Sequence, residues 1–253
     1  MKKLGVVNSV LAGKTVAFAH DTKSAINKQV MSQRLHATEL GFTNDEQGDP
    51  RFHGGIQKAL HIYPSEHYPV WQQELGDKAI FQSAGAFGEN LSSSGVTEAI
   101  FQSAGAFGEN LSSSGVTEAF ICLKDKIRIG TTLLEVSQGR MPCWKLNVRF
   151  AQNDMARRLQ DTLRTGWYFR VLEEGDIGAG DEIVLCERPY PDWSLARIMG
   201  AVFTGCLDKA ELSQLAELPL VESWGKLVER RLETGEVEDW EMRLVGPTAQ
   251  PTR

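Results

Sequence analysis

Nowhere does the sequence hold a run of about 18 apolar residues, the length at which an uncharged helix would span a bilayer. Its opening, Met1-Lys2-Lys3-Leu4-Gly5-Val6-Val7, breaks at Asn8, too short an apolar stretch for a secretory signal. These two absences give the expectation of a cytoplasmic protein. Positive charge is in deficit, with 27 Lys and Arg against 33 Asp and Glu and a net charge of −6. Such a chain has no global pull on nucleic acid or an anionic membrane, so any anion must be held by a local basic cluster, which points to a small ligand. Cysteine is scarce. The four present, Cys122, Cys143, Cys186 and Cys206, lie far apart without the CxxC spacing of a zinc site, and a reducing compartment argues against disulfides.

What is present is an ordinary globular composition: 253 residues, 42 % hydrophobic, enough for one large domain or a medium domain with an appendage. Cys122, Cys186 and Cys206 stand among apolar neighbours and read as buried small hydrophobes. Cys143 differs. It follows the apolar strand Thr132-Leu133-Leu134-Glu135-Val136 and the turn Ser137-Gln138-Gly139-Arg140-Met141-Pro142, with Lys145 two residues beyond. Proline is tolerated in the first turn of a helix, so Cys143 can sit near a helix N-terminus, where the dipole and flanking cations favour a thiolate. The strict alternation of Trp144, Leu146, Val148 and Phe150 fits a strand equally well, and the two readings stay open.

Along the chain, Leu4–Leu11 reads as a strand and Thr22–Lys28 as a polar loop carrying two lysines. Residues 41–55 form a long glycine-rich polar segment, the kind of loop that often carries function, and His53 precedes the pair Gly54-Gly55. Ala59–Tyr63 alternates as a strand, and Pro64–Leu75 reads as a helix with Tyr68 and Trp71 inward. Residues 80–99 recur letter for letter at 100–119; two identical copies make no solenoid, and one copy is expected to be an extruded loop. Further strands are expected at Lys126–Gly130, Trp167–Leu172 and Asp181–Cys186. A helix over 154–165 should be capped by Asn153 and stopped by Gly166. Many strands with few helices suggest a barrel-like, partly closed sheet. After Pro191 the pattern turns helical, with an apolar face at Leu195, Ile198, Met199, Val202 and Phe203, a second helix within 208–218 and a third over Val221–Leu232. The expected organisation is a barrel domain over 1–188, three helices packed on it within 189–245, and a flexible tail over 246–253.

Four segments carry a likeness to a known family: Phe52-His53-Gly54-Gly55, Ala59-Leu60-His61-Ile62-Tyr63-Pro64, Phe107-Gly108-Glu109-Asn110-Leu111, and Ser137 through Leu146. In that order, with the helical appendage, the chain resembles the MOSC domains, the molybdenum-cofactor sulfurase C-terminal family, and within it the YiiM-type proteins. The resemblance implies a mixed α/β fold centred on a MOSC β-barrel with a small C-terminal three-helix bundle. It implies a bound molybdenum cofactor (molybdopterin), with Cys143 as the metal ligand, and reduction of N-hydroxylated bases such as 6-hydroxylaminopurine. Lys28, Arg140, Gly54, Gly55 and Asn110, or its counterpart Asn90 in the other copy of the repeat, are then candidates to hold the pterin and its phosphate, and His53 the candidate acid for the leaving hydroxyl. The partners implied are a small N-hydroxylated substrate and a flavoprotein reductase as electron donor, with a homodimer as an oligomeric option and neither nucleic acid nor membrane. The competing reading is a sulfur or cofactor carrier that uses a Cys143 persulfide. Gly139 stands where the family pattern leads us to expect proline, which should loosen the turn.

Overall fold

The computed structural model describes residues 1–48, 53–76 and 104–247. The first copy of the repeat, 80–99, lies outside the described residues, as does the expectation that one copy is an extruded loop. Among the described residues no helix is long and apolar enough to cross a membrane.

The strands in chain order are β1 (Lys2–Ala12), β2 (Val16–Ala17), β3 (Lys23–Ser24), β4 (Gln29–Met31), β5 (Leu35–Thr38), β6 (Gly41–Phe42), β7 (Leu60–Pro64), β8 (Leu111–Ser114), β9 (Lys126–Ile129), β10 (Thr132–Gly139), β11 (Trp167–Glu173), β12 (Gly175–Ile177) and β13 (Glu182–Glu187). Seven of them pair in the order β13-β9-β10-β11-β7-β8-β1, and β1 pairs back onto β13, so the sheet closes into a barrel. Closure leaves no free edge in this ring, where the sequence suggested only partial closure. Every neighbouring pair in the ring is antiparallel except β7–β8, which runs parallel in register Ile62↔Leu111. A parallel pair needs a long crossover, and here it includes helix α1 (His67–Leu75), with Tyr68 and Trp71 buried as expected. All five residues of β7 are buried, because the strand is covered from the barrel interior and again from the α1 side.

Three elements depart from the sequence reading. The segment between β11 and β13 is more than a turn: β12 pairs with β5 and, through it, β6 in a small side sheet. The helix expected over 154–165 is α3 (Met155–Thr162), with Asp154 rather than Asn153 at the N-cap position and no side-chain capping hydrogen bond, and it ends at Leu163 in a left-handed conformation, φ 58°, before Gly166 is reached. Cys186 is exposed near the end of β13, whereas Cys122 is buried and Cys206 half-buried; all four cysteines are free thiols.

The stretch after Cys143 is a helix, α2 (Lys145–Phe150), burying Leu146, Asn147 and Phe150 on one face; its alternating pattern fits a strand, but the buried set has helical spacing. The C-terminal region contains α4 (Leu195–Phe203), α5 (Lys209–Ala216) and α6 (Glu222–Thr234), plus a short α7 (Glu241–Leu244) that sequence reasoning missed. Ser194 caps α4 by accepting from the Arg197 amide, and Asp208 caps α5 by accepting from the Glu211 amide. Ile198, Met199, Trp224 and Val228 belong to the same buried cluster as the barrel's Leu134, Val136 and Trp167, so the helices and the barrel share one core. Their junction is at Gly139. A Cβ there would lie 2.2 Å from the Met199 sulfur and 2.7 Å from its Cγ, so the glycine is a socket for Met199 rather than a loosened turn.

Candidate functional site

The Phe107–Leu111 motif comes from the second copy of the repeat. Glu109, fully buried, accepts from the amides of Gly105 (2.6 Å) and Phe107 (3.0 Å) and from the Tyr68 hydroxyl, which clamps the loop into a fixed shape. Phe107 stacks on Tyr63 at 4.2 Å. Gly108 has φ 71°, and a Cβ there would meet Ile26 at 2.8 Å, so glycine is required on both counts. The loop so held delivers Asn110 to the end of the barrel. Its Oδ1 accepts from the His61 amide (3.1 Å), while Nδ2 donates to Asp45 (2.8 Å). Asp45 in turn takes the Lys28 ammonium on both oxygens at 2.5 Å and the Gly13 amide at 2.8 Å. The Lys28 and Asn110 side chains therefore brace a wall. Burial lowers the Lys28 pKa, opposed by Asp45, and the lysine's charge is matched by that carboxylate.

That wall forms one side of a cavity at the end of the barrel. Opposite it stand Cys143, Arg140, Lys145, Lys58, His53 and Tyr168. Cys143 is half-buried in the turn between β10 and α2, one residue before the helix cap Trp144, and its carbonyl accepts from the Leu146 amide at 3.0 Å. Lys145, in the first turn of α2, is buried and donates to the Lys23 carbonyl at 2.8 Å. Arg140 is 6 % exposed, and its Nη1 is buried with no hydrogen-bond partner. An orphaned guanidinium nitrogen inside a cavity wall marks the place of an anionic acceptor, since such a group costs about 1–3 kcal/mol or more when left unsatisfied.

His53 reports the field these cations make. Burial, and then Lys145, Arg140, Lys58 and Arg243, push its pKa down to about 4. At neutral pH it is a neutral imidazole with one N–H to donate, so the proton for a leaving group is not stored on it as imidazolium. His61, which the sequence placed only in a strand, is buried at the cavity floor 5.0 Å from the Tyr168 ring, and burial lowers its pKa as well. Gly54 and Gly55 do not line the cavity. Gly55 has φ 85° with nothing near a would-be Cβ, so it serves the backbone turn rather than a close approach to ligand.

A second, wider cleft adjoins the first and shares Gly48, His53, Lys58, Cys143, Lys145 and Tyr168 with it. Its far side is formed by Ser223 of α6 and by Met242 and Arg243 of α7. Sequence reasoning missed Asp45, Lys58, Tyr168 and Arg243. Tyr168 lies on a strand the sequence did reveal and Lys58 on a short 3-10 turn, Ile56–Lys58, that it did not; only the closed barrel brings them together, and nothing in the sequence joins residue 243 to residue 143.

Among the described residues no group of three or more His, Cys, Asp or Glu side chains could hold a bare metal ion. A metal delivered on its own organic ligand needs less: one soft thiolate and donors for its anionic tail. Cys143 and the unpartnered Arg140 nitrogen supply that pair, so the residues present fit a molybdenum cofactor.

Comparison with known proteins places this geometry. The MOSC domain family matches residues 49–103 and 100–184, its two segments meeting at the junction of the repeat, and the YiiM-like, 3-alpha helix domain matches residues 193–235. Protein YiiM of Escherichia coli is 33 % identical over 238 residues, 94 % of this chain and 97 % of that one. A protein named reductase from Gibberella moniliformis is 32 % identical over 233 residues, which span 91 % of this chain and 38 % of that one. The crystal structure of Escherichia coli YiiM superposes with a TM-score of 0.72, covering 97 % of this chain and all of that one at 28 % identity.

Proposed function

The chain belongs to the MOSC domain family and carries the YiiM-like helical domain, and from that premise we propose that it binds a molybdenum cofactor through Cys143 and reduces N-hydroxylated bases such as 6-hydroxylaminopurine to amines. The observation that supports this most directly is the pairing of Cys143 with the buried, unpartnered Arg140 nitrogen in one cavity. The cofactor, when bound, supplies the two-electron transfer that cleaves an N–O bond. Everything else falls to the chain. The Cys143 thiolate is a soft ligand for the metal, and Arg140 and Lys145 bind the anionic end of the pterin. The Lys28–Asp45–Asn110 bracket keeps the opposite wall rigid, so that the ligand meets a preformed surface. His53 offers a neutral N–H as a hydrogen-bond donor to the departing hydroxyl, and the two protons that, with the two electrons, complete the amine and the water would come from solvent. A flavoprotein reductase is the proposed electron donor, and the reductase name of the fungal relative agrees with this reaction class.

Metal and pterin analysis of the purified protein beside Cys143→Ser tests the reading. Molybdenum and pterin are expected in the first and lost in the second, with both proteins folded. Full molybdenum in Cys143→Ser would remove the cysteine as ligand. Absence from both proteins, with cyanide-labile sulfur on Cys143, would favour a sulfur carrier instead.

A further inference from the structure

The inner cavity and the wider cleft meet at Cys143, and His53, Lys145 and Tyr168 are among the residues that line both. A ligand entering by the cleft therefore reaches Cys143 between these side chains. Lys145 is committed to the Lys23 carbonyl. The imidazole of His53 and the phenol of Tyr168 are neutral donors, and the reduction proposed above uses only the first.

Tyr168 is placed by the barrel itself. It lies on β11 between two neighbouring strands, paired with His61 of β7 on one side and Gln138 of β10 on the other. The β10–β11 register slips between Val136 and Gln138, so Ser137 is a bulge, a device that re-aims side chains beside functional sites. The bulged serine is buried, with its hydroxyl 2.6 Å from the Gln57 carbonyl and 3.0 Å from the Tyr168 carbonyl, which fixes the strand where Tyr168 leaves it. The half-buried Tyr168 ring packs 5.0 Å from the His61 ring. At its far end the hydroxyl interacts with the Arg140 guanidinium, and Cys143 lies within electrostatic range. A guanidinium can only donate, so the phenol oxygen is the acceptor in that contact and its own O–H is left to donate to another group.

We propose that the Tyr168 hydroxyl is a second catalytic donor, which gives a hydrogen bond to the oxygen of the N-hydroxyl group alongside His53 and so distinguishes the hydroxylamine substrate from the amine product. The inference rests on the reductase reading above and adds the residue that recognises the oxygen to be removed. That oxygen has two lone pairs and gains electron density as the N–O bond lengthens, so fixed donors hold it more strongly at cleavage than in the ground state. Tyr168 keeps its own proton throughout. The amine product lacks the oxygen, loses both hydrogen bonds and is the weaker ligand.

6-Hydroxylaminopurine and adenine differ by that one oxygen and are the probes, titrated calorimetrically into the purified full chain with no reductant present. No turnover occurs, so the reading is independent of reductase activity. The wild type is expected to bind 6-hydroxylaminopurine about tenfold more tightly than adenine, the modest net worth of two neutral hydrogen bonds. Tyr168→Phe keeps the ring and its packing on His61. It should cut the ratio to about threefold or less while leaving adenine affinity, melting temperature and molybdenum and pterin content at the parent's values. In turnover, kcat should fall by about tenfold or more beyond the loss in binding. Equal affinity for the two purines in the wild type would overturn the proposal. So would a ratio that survives Tyr168→Phe, which would leave the phenol as a partner of Arg140 alone. Loss of cofactor from Tyr168→Phe would overturn it too, by making the phenol a support for the cofactor site. A protein that shows the expected ratios yet reduces no N-hydroxylated compound would end the reductase reading and leave Tyr168 as the group that recognises the hydroxyl.

Discussion

His53 is poised so that its proton is worth more to the unfolded chain than to the folded one. Its pKa falls from the ordinary 6.5 to about 4, so between those values the unfolded state binds more protons. Stability contributed by neutral His53 is therefore complete above about pH 6.5 and is lost as the pH falls toward 4, to a total of about 3 kcal/mol. Chemical denaturation of the cofactor-free protein between pH 7 and 4 should show this slope, and His53→Gln should flatten it by about that amount; parallel slopes in the two proteins would mean the imidazole is not held neutral. His61 shifts in the same direction, so the difference between the two proteins is the measurement, not either slope alone. At this scale the sequence was informative about residues beside distinctive motifs: Cys143 after a proline and between cations, and His53 before two glycines. It was silent on a residue such as Arg243, which reaches the wider cleft because its carbonyl accepts from the amide of Trp144, about a hundred positions earlier. It also misjudged Gly139, because the reason for that glycine is the sulfur of Met199, which only the packed helices bring there.

Asn147 carries an unusual share of the element-level organisation. Its Nδ2 donates to the Leu244 carbonyl (2.7 Å) and its Oδ1 accepts from the Ala156 amide (2.7 Å), so one buried side chain joins α2, which follows Cys143, to α3 and α7. Asn147→Ala would leave a carbonyl and an amide unsatisfied, at a cost of about 2–4 kcal/mol. A melting point lower by several degrees is expected, together with faster proteolytic cleavage around residues 240–247; unchanged cleavage there would show that the Trp144–Arg243 hydrogen bond and the Gly246 packing hold α7 unaided. Most elements were legible because their patterns were long. The barrel strands alternate or run apolar, and α4 and α6 show helical faces with cap residues. The failures were short or locally ambiguous: β12 and α7 are three and four residues long, too brief for periodicity to register. The stretch after Cys143 satisfied both periods until burial on one helical face decided it. Gly246, expected at the start of a flexible tail, is buried against Trp144; residues 248–253 lie outside the described part of the chain.

For the molecule as a whole, the repeat poses a question that the closed barrel helps to answer. Residues 104–119 of the second copy supply β8, the Glu109 clamp and Asn110, and β8 completes the ring between β7 and β1. Because the copies are identical, removing 80–99 or removing 100–119 yields the same chain of 233 residues, 253 less 20. The deletion therefore cannot remove the motif; it only shortens the connection from Gly76 to Ala104 from the 27 residues 77–103 to 7. For a flexible chain, closing the shorter connection is favoured by at most about 1.2 kcal/mol, since closure entropy grows only with the logarithm of length. In a chain of this size that corresponds to a rise of roughly 2–4 °C in melting temperature. The 233-residue protein should thus fold, bind the same cofactor as the parent and melt at the same temperature or slightly higher, as circular dichroism and metal analysis would show. A lower melting temperature would mean that the extra twenty residues make contacts the barrel depends on. A gain of cofactor on deletion, from none to stoichiometric, would mean instead that the second identical motif competes for the place of the first. Length alone costs too little to produce that change, whereas a competing copy of β8 and its clamp would displace the wall opposite Cys143.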